Sequence, residues 1–95
     1  MVTRAWGTYI IENPSGLLYT GVTTQPGRRL QLHNEGNGAK YTKGKGPWTL
    51  VYWERLGSQS DALKREYEIK QLTKTQKRAL INALRGPEAA SPQET

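Results

Sequence analysis

The chain has no cysteine, a single histidine and no long apolar run. Without cysteine there are no disulfides, no thiolate zinc sites and no cysteine nucleophile. With His33 alone, a multi-histidine zinc site is impossible. No apolar stretch approaches the length needed to span a bilayer, and the start does not read as a secretion signal. The lack of cysteine leaves the redox compartment open while fitting a reducing cytosol, and a cytoplasmic location is the expectation. Neither repeats nor a composition break divides the 95 residues, which suffice for one domain with one modest core.

Acidic residues are also scarce. Fourteen Lys and Arg against eight Asp and Glu leave a net charge of +6. That charge draws a protein towards polyanions, nucleic acid foremost. The bases are unevenly placed: Arg28, Arg29, Lys40, Lys43 and Lys45 share a stretch whose one acid is Glu35. The segment 86–95 holds two glutamates, two prolines and no base, and reads as a disordered tail after a folded unit over 1–85.

β-Prone runs at 7–12 and 17–22 flank the turn Asn13-Pro14-Ser15-Gly16, which predicts a hairpin. A connection of three or five residues puts Tyr9 and Tyr19 on one face; two or four puts them on opposite faces. Thr24-Gln25-Pro26 predicts a helix start with a capping hydroxyl, and Gly36 and Gly38 its end. Arg29 and His33, four apart, share a face of that helix. The glycine- and lysine-rich stretch 36–47 reads as a flexible cationic loop. A third strand over 48–54 precedes helices over 61–72, opened by Ser58-Gln59-Ser60-Asp61, and 73–84, opened by Thr73-Lys74-Thr75-Gln76. The expected fold is α+β: a small three-stranded, mainly antiparallel sheet flanked by helices, in the order β-β-α-β-α-α.

Several side chains stand out chemically. On the helix over 61–72, Ala62, Leu63, Ile69 and Leu72 form the apolar arc, and Glu66 falls inside it while Glu68 points away. A carboxylate there costs free energy unless it is paired or binds a cation. One carboxylate, completed by waters and a substrate phosphate, is the usual way to hold Mg²⁺. Tyr9 and Tyr19 become useful bases only if a neighbour takes up or offsets the phenol proton. The Arg29 fork suits non-bridging phosphate oxygens. His33 suits a hydrogen bond to phosphate or to a tyrosine hydroxyl. Tyr41, set among Lys40, Lys43 and Lys45, has the pattern of an aromatic that stacks a base while lysines hold phosphates.

Taken in order, these residues resemble the GIY-YIG endonuclease superfamily, and within it the small stand-alone YhbQ-like bacterial proteins. Gly7-Thr8-Tyr9 stands at the first family tripeptide and Tyr19-Thr20-Gly21 at the second, each with threonine for the usual apolar residue. Arg29 lies where the family arginine is expected, His33 follows it, and Glu66 matches the metal-binding glutamate. Asn82 is the one candidate for the late asparagine of many members. The resemblance covers about residues 6–81. It implies a DNA endonuclease dependent on one Mg²⁺ or Mn²⁺ ion, acting in DNA repair or processing. Glu66 would hold the ion, and Tyr19, helped by Tyr9 or His33, would take a proton from the attacking water. Arg29 would stabilise charge on the phosphate. A lone domain is expected to bind weakly, with a protein partner or a homodimer as possible support.

Two other readings stay open at this stage. One is a non-catalytic nucleic-acid-binding module with the same fold. The other is an interaction protein using exposed Trp48, Tyr52 and Trp53.

Overall fold

A computed structural model describes residues 5–83. The segment 86–95, read above as a tail, lies outside them. Strand β1 (Gly7–Glu12), strand β2 (Leu18–Thr23), helix α1 (Pro26–Asn34), strand β3 (Thr49–Arg55) and helix α2 (Gln59–Lys70) follow in order, and a third helix, α3, occupies 74–83. The sheet order is β2-β1-β3 with both pairings antiparallel, which is the expected α+β arrangement.

β1 is the centre of the molecule, because helices cover both faces of it. Ile10 points into a core with Val51, Tyr52, Ile69 and Ile81 from β3, α2 and α3. Tyr9 and Ile11 point the other way, against Trp48, Leu30 of α1 and Trp53. Burying each isoleucine contributes about 1.5–3 kcal/mol. In the β1–β3 ladder the register shifts between Ile10, opposite Tyr52, and Ile11, opposite Leu50. Val51 is the extra residue of this bulge, so both Val51 and Tyr52 reach the same core.

The hairpin connection is five residues long, and Tyr9 pairs with Gly21 while Tyr19 pairs with Ile11. The two tyrosines therefore share a face as diagonal neighbours, with ring centroids 6.4 Å apart. The Asn13 side chain shapes the turn, accepting from the Leu17 N–H at 2.8 Å, and donates to the Lys45 carbonyl at 2.9 Å. Arg78 of α3 braces the turn from the other side through Glu12 (2.7 Å) and the Gly16 carbonyl (3.2 Å).

Helix ends follow their local chemistry, with one exception. Ser58 caps α2 by accepting from the Asp61 N–H, and Thr73 and Gln76 bond each other's N–H groups ahead of α3. At α1 the expected Thr24 cap is absent: Gln25 holds the cap position with no side-chain bond, and Thr23 Oγ1 accepts from the Gln25 N–H instead. Pro26 starts the helix, since its missing N–H needs no partner there.

Three packing expectations need correction. Leu63, assigned to the buried arc of α2, is 45% exposed, and Ala62 and Ile69 carry the contact instead. α2 meets the sheet along a narrow seam, which leaves Leu63 and Tyr67 outside it. Trp48 and Tyr52 are buried and Trp53 is half-buried, so the aromatic trio forms core and not an exposed docking surface. Finally, the stretch 36–47 is wound rather than loose. N–H groups of Thr42, Lys43 and Lys45 bond carbonyls three residues back, and the Trp48 indole donates to the Thr42 carbonyl at 3.1 Å.

Candidate active site

The site begins with the tyrosine that β1 buries. Tyr9 lies across Gly21, its cross-strand partner, which carries no side chain to obstruct the phenol. The ring thus reaches over β2, and its hydroxyl meets His33 Nε2 at 2.7 Å. α1 supplies the histidine: Leu30 seats the helix on the sheet, and His33, one turn on, is 1% exposed. The other imidazole nitrogen, Nδ1, lies 2.8 Å from Thr42 Oγ1, so the segment 36–47 closes over the ring. Gly38 packs directly on the imidazole, where a Cβ would collide with Nδ1.

Arg29 shares the His33 face of α1, as its spacing predicts. Its guanidinium donates to the Gly38 carbonyl at 2.9 Å and stands beside the Tyr9 hydroxyl. Tyr19 sets its ring edge-on to the imidazole, with centroids 5.1 Å apart. Tyr41 stacks on the Tyr19 ring at 5.9 Å and is itself covered by the Lys45 ammonium, 4.9 Å from its centroid. Glu66 of α2 has a partly exposed side chain (20%) and pairs with Lys70 at 3.2 Å. Lys70 also reaches to 5.9 Å from the Tyr19 ring. Glu66 is close enough for its charge to act on the Tyr9 hydroxyl.

The electrostatics follow from this packing. Burial pushes the Tyr9 phenol up to about 12, with Tyr19 and Glu66 adding to the rise and the Arg29 guanidinium opposing it. Burial, then repulsion from Arg29, holds the His33 imidazole below its usual value. At neutral pH the pair is therefore a phenol against a neutral imidazole.

Of the residues singled out in the sequence, Tyr9, Tyr19, Arg29, His33, Tyr41 and Lys45 gather at one place, with Glu66 at its border. Arg28, Lys40 and Lys43 are exposed. Asn82 is exposed on α3. Two further members of the cluster, Lys70 and Thr42, lie outside that set. Lys70 was open to recognition, since it stands four residues after Glu66. Thr42 gave no signal, because a buried threonine looks like any other in a glycine-lysine segment.

Among the described residues no group of three or more His, Cys, Asp or Glu could enclose a metal. The donor set suits a different kind of ion. A lone, partly accessible carboxylate with no soft ligand nearby fits Mg²⁺ or Mn²⁺ completed by water and phosphate oxygens, and does not fit zinc.

Comparison with known proteins places the chain in a family. Residues 5–79 match the model of the GIY-YIG catalytic domain. A UPF0213 protein of Yersinia pestis (strain Pestoides F) is 50% identical over 81 residues, which is 85% of each chain. A solution NMR structure of a UPF0213 protein from Bacillus halodurans superposes with a TM-score of 0.56 at 41% identity, covering 87% of this chain and 88% of that one. A solution NMR structure of an E. faecalis protein does so at 0.58 and 34%, covering 88% of each.

Proposed function

The chain belongs to the GIY-YIG catalytic-domain family, and we propose that it is a Mg²⁺- or Mn²⁺-dependent DNA endonuclease, cytoplasmic and active in DNA repair or processing. The observation that carries this reading is the Tyr9–His33 hydrogen bond, formed beside a guanidinium and a partly accessible carboxylate. An acid–base pair, a phosphate grip and a cation site are the three parts that phosphodiester hydrolysis needs.

In this mechanism Arg29 binds the non-bridging oxygens of the scissile phosphate and meets their growing charge. Glu66 would hold the divalent ion, which when bound would supply positive charge to offset that developing on the leaving 3′ oxygen. The proton-accepting role goes to Tyr9 in place of Tyr19, because the Tyr9 hydroxyl is the one bonded to the imidazole. Tyr9 takes a proton from the attacking water while its own passes to His33 Nε2. The two transfers are coupled: a free phenolate is costly with the phenol raised to about 12 and the imidazole depressed. Tyr19 walls the imidazole, and Tyr41 with Lys40, Lys43, Lys45 and Arg28 holds flanking nucleotides.

The test is cleavage of a labelled panel (supercoiled plasmid, branched DNA, single-stranded DNA and RNA) with Mg²⁺ or Mn²⁺, beside Glu66→Ala. Cutting by the wild type, lost in Glu66→Ala with binding retained, is the expected result. Binding of the panel with no cutting by the wild type in either metal would make the protein a non-catalytic nucleic-acid-binding module. Burial of Trp48 and Tyr52 removes the observation on which a protein-docking reading rested.

A further inference from the structure

Thr42 is fully buried in a segment whose other side chains are mostly exposed. Its hydroxyl makes two hydrogen bonds, one to the Ala39 carbonyl at 3.0 Å and one with His33 Nδ1 at 2.8 Å. A hydroxyl has one proton, and a carbonyl oxygen only accepts. The proton therefore points at Ala39, and an oxygen lone pair faces Nδ1. For that contact to be a hydrogen bond, Nδ1 must carry hydrogen. A neutral imidazole has one N–H, which leaves Nε2 bare and makes the Tyr9 hydroxyl the donor at 2.7 Å. The polarity of the whole chain, Tyr9 to His33 to Thr42 to Ala39, is thus set at its far end.

We propose that Thr42 is a positioning residue that locks His33 in its Nδ1–H form, so that the Tyr9 proton is aimed at Nε2 and can leave by that route. The catalytic consequence rests on the nuclease reading above; the locked tautomer does not. With Nε2 bare, the bond broken is Tyr9 O–H and the bond formed is Nε2–H, while the Tyr9 oxygen takes the water proton. No other acceptor or donor is needed. In the opposite tautomer Nε2–H would donate to Tyr9, the phenol proton would face outward, and the relay would be closed.

The same arrangement ties the acid–base pair to the segment expected to grip substrate. Thr42 lies between Tyr41, stacked on Tyr19, and Lys43. Its carbonyl is held by the Trp48 indole, and Asn34 pins the Trp48 backbone from both sides, at 2.6 and 3.2 Å. A shift of this segment moves the Thr42 oxygen away from Nδ1. Nucleic acid bound by the flanking lysines and the relay are therefore mechanically one unit.

Because His33 is the only histidine, ring ¹⁵N spectra of the untagged protein contain one imidazole. They should be recorded for wild type, Thr42→Val and Thr42→Ser, without substrate. Wild type and Thr42→Ser are expected to show a pyrrole-type Nδ1 and a pyridine-type Nε2. Thr42→Val, of nearly the same shape but without the hydroxyl, is expected to lose that pattern. Its kcat should fall about 10- to 100-fold with KM little changed, and Thr42→Ser should restore most of it. An Nε2–H tautomer in the wild type overturns the proposal even if Thr42→Val does not fold. So does an unchanged tautomer in Thr42→Val, or a released tautomer with full cleavage. If no protein cuts any substrate, the nuclease reading fails, and the spectra still decide whether Thr42 sets the tautomer.

Discussion

Gly21 lies opposite Tyr9 in the β1–β2 ladder, and a Cβ on Gly21 would stand 2.5 Å from the Tyr9 hydroxyl. The glycine closing the second tripeptide is therefore a space for the tyrosine closing the first. Its role is steric, since a side chain there would displace the phenol from His33 Nε2.

Gly21→Ala is accordingly expected to lower kcat about 10- to 100-fold through loss of the Tyr9–His33 bond. The fold should survive with reduced stability, because β2 is an edge strand and can give way locally. Single-turnover cleavage and thermal denaturation of the same sample check this. Wild-type cleavage with an unchanged melting temperature would mean that Tyr9 has room to spare.

His33 also makes stability depend on pH. Its pKa is lowered in the folded protein, chiefly by burial and then by Arg29. The unfolded chain thus binds a proton more readily than the folded one. The contribution is present above the unfolded value of 6.5 and is lost as pH falls through the folded value. Melting temperature should therefore drop between pH 7.5 and 5, and His33→Gln should show a smaller drop over that range. Equal slopes for the two proteins would mean that His33 does not carry the acid sensitivity in this range; the loss from Glu54, whose pKa is lowered by its pairing with Tyr52 and Arg65 against the opposing effect of burial, comes only below 4.5.

Lys70 shares a Glu66 oxygen that a divalent ion would use. A partly exposed ion pair of this kind is worth about 0–1 kcal/mol. Replacing the ammonium in Lys70→Met should therefore tighten Mn²⁺ binding by no more than about fivefold. Calorimetric titration of wild type, Lys70→Met and Glu66→Ala measures it. Weaker Mn²⁺ binding by Lys70→Met would mean that the lysine orients the carboxylate for the ion rather than competing with it.

The order of elements was legible along the chain because it depends on local chemistry. Asn13 and Gly16 make a turn wherever they stand between β-prone runs, Ser58 and Thr73 cap the helices they precede, and a four-residue spacing puts Arg29 beside His33 on any helix. The resemblance to GIY-YIG enzymes rested on the same ordered positions.

Local patterns failed where a third element decided the outcome. The arc of α2 included Leu63 because periodicity describes a helix, not the width of the sheet it meets. Trp48 and Tyr52 looked available for docking until α1 on one face and α2 with α3 on the other enclosed them. The shared face of Tyr9 and Tyr19 depended on a five-residue connection that Asn13 bonds into place, and sequence left several lengths open. Thr42 is the clearest case, since nothing beside it in the chain marks it out. Composition, element order and the residue types of the site were thus determined by sequence alone. Which hydroxyl meets which nitrogen was decided only in the tertiary structure, because a hydrogen bond needs two groups within about 3 Å, and for residues 24 apart only packing brings them there.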